Sequence, residues 1–140
     1  MRLFPGLSVL TLGVSNVDRA TLFYERLGWR RAKVASTRTQ TIFELNNLLL
    51  RLAPSDALAR DLGFAGGEIH VVHGQHYGDG EAISRAMDQA DHAGARILSG
   101  RLFGGEGVSG AFADPDGHVW ELVFDPARIP GPDGSVRLTD

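Results

Sequence analysis

Residues 119–124 read Val-Trp-Glu-Leu-Val-Phe, a strand pattern in which Trp120, Leu122 and Phe124 alternate with Val119, Glu121 and Val123. Successive side chains of a strand point to opposite faces. The first set therefore makes an apolar face suited to packing beneath a helix, and Glu121 stands between two valines on the other. A carboxylate in that setting needs a metal, an arginine or a hydrogen-bonded ligand, because burying it alone is costly. It can act as a metal ligand or a proton acceptor, or it can be a structural group paired with an arginine such as Arg51 or Arg96. The run from Glu68 to Tyr77 holds three more groups with chemistry, His70, His73 and His76. His70 and His76 share one strand face, with His76 at the strand's end, and His73 points the other way, toward a helix. A catalytic zinc or iron site takes about three protein ligands. His70 and Glu121 supply two.

Other motifs fall away on context. Gly105-Glu106-Gly107-Val108-Ser109-Gly110 spells G-x-G-x-x-G, but a dinucleotide site needs a helix after it, and here a strand-like segment and Pro115 follow. Asp114-x-Asp116-Gly117 begins like a calcium loop and lacks the remaining ligands and terminal Glu. There is no G-x-S-x-G elbow, and with no cysteine there is no disulfide, thiolate metal site or cysteine nucleophile. The net charge of −3, with arginines spread along the chain, argues against a nucleic-acid groove or an anionic membrane surface. No apolar run reaches the 18 or so residues that span a bilayer. At the N-terminus Arg2 precedes an apolar stretch, but Pro5-Gly6 interrupts it and no A-x-A-like cleavage site follows, so the expected location is the cytoplasm.

These groups must be positioned by elements that occur twice. Val17, Ala20, Phe23, Tyr24 and Leu27 form one helical stripe, with Ser15 or Asn16 as cap and Gly28 as terminator. Ile83, Ala86, Met87, Ala90 and Ala93 form another, ended by Gly94, and a shift of 66 superposes the two. A strand precedes each helix (7–14 and 68–75) and three follow: Trp29–Ser36, Thr39–Leu45 and Asn47–Leu52 in the first half, Ala95–Leu102, Val108–Ala113 and His118–Phe124 in the second. The sequence predicts an α+β fold of two tandem βαβββ modules (7–52 and 68–125). The linker, 53–67, carries a short helix near Asp56–Leu62, and the tail, 126–140, is extended. At 140 residues this is one domain, and neither module can bury its sheet alone.

V-S-N-V-D-R-A-T-L-F-Y-E-R-L-G-W in the first half and A-D-P-D-G-H-V-W-E-L-V-F-D-P in the second resemble the vicinal oxygen chelate superfamily, which groups glyoxalases, bleomycin- and fosfomycin-resistance proteins and ring-cleaving dioxygenases. The resemblance covers about residues 7–126. It implies an open, curved, barrel-like cleft and, in catalytic members, a divalent metal held at four pseudo-equivalent strand positions. Carried over residue by residue, those positions fall on Val9, Leu50, His70 and Glu121, with Val72 in place of His70 if the register slips by two. The glycine-rich loop Phe103–Gly110 would be a flap, with Phe103 and Phe112 as contacts. The relatives' two tyrosine positions there are Val108 and Ala111 in this chain.

Fold does not fix function, and two readings follow. In the preferred one the chain is a metal-independent small-molecule binder of the bleomycin-resistance type. It uses no cofactor, works as a homodimer, and holds its ligand in an apolar cleft lined by Val9, Thr11, Leu50, Val119 and Val123, with Phe103 and Phe112 above. In the alternative, a lyase or dioxygenase, His70 and Glu121 hold a divalent metal that polarises vicinal oxygens. A metal-free enzyme with Glu121 as general base lies between them.

Overall fold

A polar cap, an apolar stripe and a left-handed glycine define each long helix in the computed structural model, which describes Leu3 and residues 5–65, 71–103 and 107–138. In α1 (Val17–Arg26) the Asn16 side chain accepts the Arg19 N–H at 2.9 Å, and in α3 (Gly80–Ala93) the Asp79 side chain accepts the Ala82 N–H at 2.8 Å. Gly28 and Gly94, at φ 100° and 99°, turn the chain out of the two helices. A Cβ built at Gly94 meets nothing within 4 Å, so Gly94→Ala isolates the backbone cost of the left-handed conformation. Urea unfolding of that variant is expected to show a loss of about 1–2 kcal/mol.

The remaining elements are β1 (Val9–Val14), β2 (Thr41–Glu44), β3 (Leu49–Pro54), α2 (Ser55–Leu62), β4 (Val72–His76), β5 (Arg96–Phe103), β6 (Gly107–Ala113) and β7 (Val119–Phe124). They form two open sheets, ordered β1-β3-β2 and β4-β7-β6-β5. In each, the last strand of the module returns parallel to the first: β3 beside β1, β7 beside β4. This is the expected α+β duplication, with one correction. The strand predicted over Trp29–Ser36 reduces to a single bridge, Arg31 to Phe43, followed by turns. That segment has no apolar alternation to bury, and Val34 is fully exposed. The predicted first strand of module two begins only at Val72, and residues 66–70 lie outside the described residues. The tail over 126–138 has neither helix nor strand.

One core runs through both halves: Leu12, Val14, Phe43, Leu50 and Leu52 from the first sheet, Phe112, Trp120 and Leu122 from the second, and Phe23, Tyr24, Ile83 and Ala90 from α1 and α3. No helix among the described residues is long and apolar enough to cross a membrane.

The modules are joined by the 114–118 turn. The Asp114 carboxylate accepts the N–H groups of Asp116 and His118 at 2.9 and 2.8 Å through Oδ1, and the Tyr24 hydroxyl at 2.7 Å through Oδ2. The Trp120 indole N–H donates to the Tyr24 oxygen at 3.1 Å. Asp116 accepts from the Ser15 N–H, the Ser15 hydroxyl and Arg19, and a His118 ring nitrogen meets the Gly13 carbonyl at 2.7 Å. Burial, and then the neighbouring Asp114 charge, push the Tyr24 phenol far above its ordinary ionisation range. An unfolded tyrosine ionises at about pH 10. Above that pH the unfolded chain binds fewer protons than the folded one, so Tyr24's contribution is complete below about pH 10 and is lost as pH rises, by up to about 1.4 kcal/mol per pH unit. Alkaline denaturation followed by tyrosine absorbance is expected to show Tyr24 ionising only as the chain unfolds.

Candidate functional site

Strand register sorts the expected site residues into two sets. Leu10, Leu50 and Phe43 are cross-strand partners, as are Trp120, Phe112 and His73, and all lie on the faces packed beneath α1 and α3. The opposite faces carry Val9 beside Leu49, Thr11 beside Arg51 and Ile42, and Glu121 between Gly74 and Ala111. Val119 and Val123 flank Glu121 along β7, as the alternation predicts. We call these the far faces.

Two residues therefore leave the expected cleft. Leu50 is fully buried in the core, and its neighbour Arg51 lies on the far face with Leu49. A one-residue shift in a strand exchanges its faces. Phe112 is also on the helix side and 4% exposed, so it is no flap contact. Phe103 ends β5, with its side chain outside the described residues, as is His70. Val72, the alternative to His70, lies on the far face opposite Val119, and His76 opposite Val123. His73 is buried on the helix side: one ring nitrogen lies 2.9 Å from the Val119 carbonyl, and the ring centroid is 4.9 Å from that of Trp120.

The sequence offers Arg51 only as a structural partner for Glu121, and not as a residue of the site. Strands β3 and β7 each have six residues and the same succession of buried and half-buried positions, which places Arg51 of module one where module two has Glu121. The two modules thus present opposite charges at equivalent points. Arg51 is half-buried, and its Nε is fully buried with no hydrogen-bond partner. A buried guanidinium N–H without an acceptor is a costly group to leave unmet. Gly74 beside Glu121 leaves open space, since a Cβ there meets nothing within 4 Å. At the other sheet α2 folds back over the far face, where Ser55 and Leu58 approach Gly13 so closely that a Cβ there would lie 3.1 and 3.4 Å from them.

Two of the four positions expected to hold a metal carry no donor, and His70 lies outside the described residues. Val9 cannot ligate, and the β3 position that would contribute a second ligand carries a guanidinium, whose like charge disfavours a divalent cation. Among the described residues no group of three His, Asp or Glu side chains is placed to hold a metal ion.

The comparisons with known proteins agree with this architecture. A glyoxalase-related enzyme from Fulvimarina pelagi superposes with a TM-score of 0.84 at 26% identity, over 98% of this chain and 100% of that one. Lactoylglutathione lyase from Agrobacterium tumefaciens gives 0.71 at 14% identity, over 89% and 96%. The fosfomycin resistance protein FosX from Mesorhizobium loti gives 0.65 at 19% identity, over 88% and 94%. No curated protein matches the chain. The family model described as Glyoxalase/Bleomycin resistance protein/Dioxygenase superfamily matches residues 6–122, and the chain belongs to that superfamily.

Proposed function

We propose that this chain is a metal-independent small-molecule-binding protein whose ligand is held between far faces brought together in a homodimer, with its oxyanion on Arg51 and a hydrogen-bond donor on Glu121. The observation that carries this reading is Arg51 itself. It occupies the β3 equivalent of Glu121, and its buried Nε lacks an acceptor. A guanidinium offers a planar fork of donors that matches a carboxylate or similar oxyanion. Val9, Val119 and Val123 supply apolar walls for the rest of the molecule, and Gly74 keeps the approach to Glu121 open. We take the working form to be a cytoplasmic homodimer.

The probe is benzoate, with neutral benzamide of the same shape beside it. Titration of the full chain, followed by backbone amide NMR, is expected to show benzoate binding at least tenfold more tightly, with shifts centred on β3 and β7. Equal affinities, or shifts elsewhere, would overturn the reading.

A catalytic reading has one specific support, the 26% identical relative described as a glyoxalase-related enzyme. In it Glu121 is the proton acceptor, and Glu121→Gln abolishes turnover of a vicinal-oxygen substrate. In the binding reading that substitution changes affinity alone.

A further inference from the structure

On the opposite side of the second sheet from Glu121 lies a pocket of about 140 Å³, partly open to solvent. It is bounded by Trp29, beyond the end of α1, by Tyr77 at the end of β4, by Phe112 and Trp120 on the helix side of β6 and β7, and by the amides of Gln75 and Gln89. Gln75 is the cross-strand partner of Leu122, a core residue, so this space belongs to the helix layer and is separate from the far faces.

We propose that this cavity is a second binding site, for a neutral single-ring aromatic molecule that carries a hydrogen-bonding substituent. Its size matches a single ring: cavities of about 150 Å³ with apolar walls admit benzene. Its walls favour a ring, because Trp29 and Trp120 already meet edge to face, with centroids 5.5 Å apart and planes at 73°, and a third ring can join such a cluster in the same way. Its polar groups favour a substituent. The Gln75 carbonyl oxygen accepts the Tyr77 hydroxyl at 2.9 Å, which leaves the Gln75 amide N–H groups to donate. The Gln89 amide nitrogen makes only a long 3.4 Å contact to the Arg26 carbonyl, which leaves the Gln89 oxygen to accept. Among the described residues no charged side chain lines the cavity, so an ionised ligand would find no ion-pair partner there. Burial also raises the Tyr77 phenol above its ordinary ionisation range, which keeps it a donor to Gln75.

Phenol is the probe. Both tryptophans of the chain line the cavity, so their fluorescence, excited where phenol does not absorb, reports its occupancy. A saturable change of one phenol per chain is expected, with benzene several-fold weaker. Ala86 of α3 also lines the space, and Ala86→Leu fills it. Phenol binding is then at least tenfold weaker, while Glu121→Gln leaves it unchanged. The exposed Gln89 gives a second variant that spares the core: Gln89→Leu narrows the preference for phenol over benzene. The proposal is overturned if no saturable change occurs, if binding survives in a folded Ala86→Leu protein, if Gln89→Leu leaves the preference intact, or if Glu121→Gln abolishes binding. The last result would assign phenol to the far face.

Discussion

Asp114→Ala is expected to destabilise the chain by about 3–5 kcal/mol, the range for removing one partner from a buried charged network. Asp114 is 4% exposed and holds three hydrogen bonds, two within its own turn and one to Tyr24 of the other module. With alanine there, the N–H groups of Asp116 and His118 lose their acceptor, and the Tyr24 hydroxyl stays buried with only the Trp120 indole beside it. For a chain of this size the loss corresponds to a fall in Tm of about 10–17 °C. Tyr24→Phe removes the cross-module bond and keeps the turn, so it should cost less, about 2 kcal/mol. Asp116→Ala is a useful contrast. Its bonds go to Ser15 and to an Arg19 side chain that is half exposed, where solvent screens the ion pair, so a loss of about 1 kcal/mol is expected. Guanidinium unfolding of the three variants gives the order. Equal costs at Asp114 and Asp116 would mean that the modules are not joined through Tyr24.

Arg51→Met is expected to act in opposite directions on ligand binding and on stability. Removing one partner of a buried, hydrogen-bonded charge pair typically costs 2–5 kcal/mol of binding energy. Benzoate affinity should therefore fall by about thirtyfold or more, and the preference over benzamide should vanish. In the unliganded chain the same guanidinium is half-buried with an unsatisfied Nε. Methionine of similar length removes that desolvation cost and keeps the packing, so stability should be unchanged or should rise by about 1 kcal/mol. A residue retained for the fold would show the reverse: unfolding in Arg51→Met and unaltered binding. The two readouts together distinguish a binding arginine from a structural one.

Much of this fold was legible in the sequence, and the errors have physical causes. Both long helices followed from stripes at 3.6-residue spacing bounded by a cap and a glycine, and the ends agree within one residue. Strand β7 alternates cleanly, so the far-face position of Glu121 could be read from Val-Trp-Glu-Leu-Val-Phe alone. Strand β3 does not announce its parity, because Leu48, Leu49 and Leu50 are consecutive and either face would be apolar. Placing the family position on Leu50 turned the strand over. The signal that resolves it is the charge at Arg51, since a guanidinium is far costlier to bury beneath a helix than a leucine is to leave half exposed. The repeat predicts a strand over Trp29–Ser36. The segment's own residues include two arginines and a lysine and give no face to bury, so it contributes a bridge and turns. The helix-layer cavity had no local signature at all. Its walls come from the segment that follows α1 and from β4, α3, β6 and β7, and only packing brings them together.

We propose that the far-face site works without a metal, with Arg51 where a second metal-binding position would fall. Elemental analysis of untagged protein, purified without chelators and then dialysed against zinc, nickel, manganese and ferrous ions in turn, tests it most directly, with His70→Ala and Glu121→Gln carried alongside. Metal far below one ion per chain is expected in all three proteins, with no change in Tm when ions are added. Near-stoichiometric metal that disappears in His70→Ala and Glu121→Gln would contradict it and establish the metal-dependent reading.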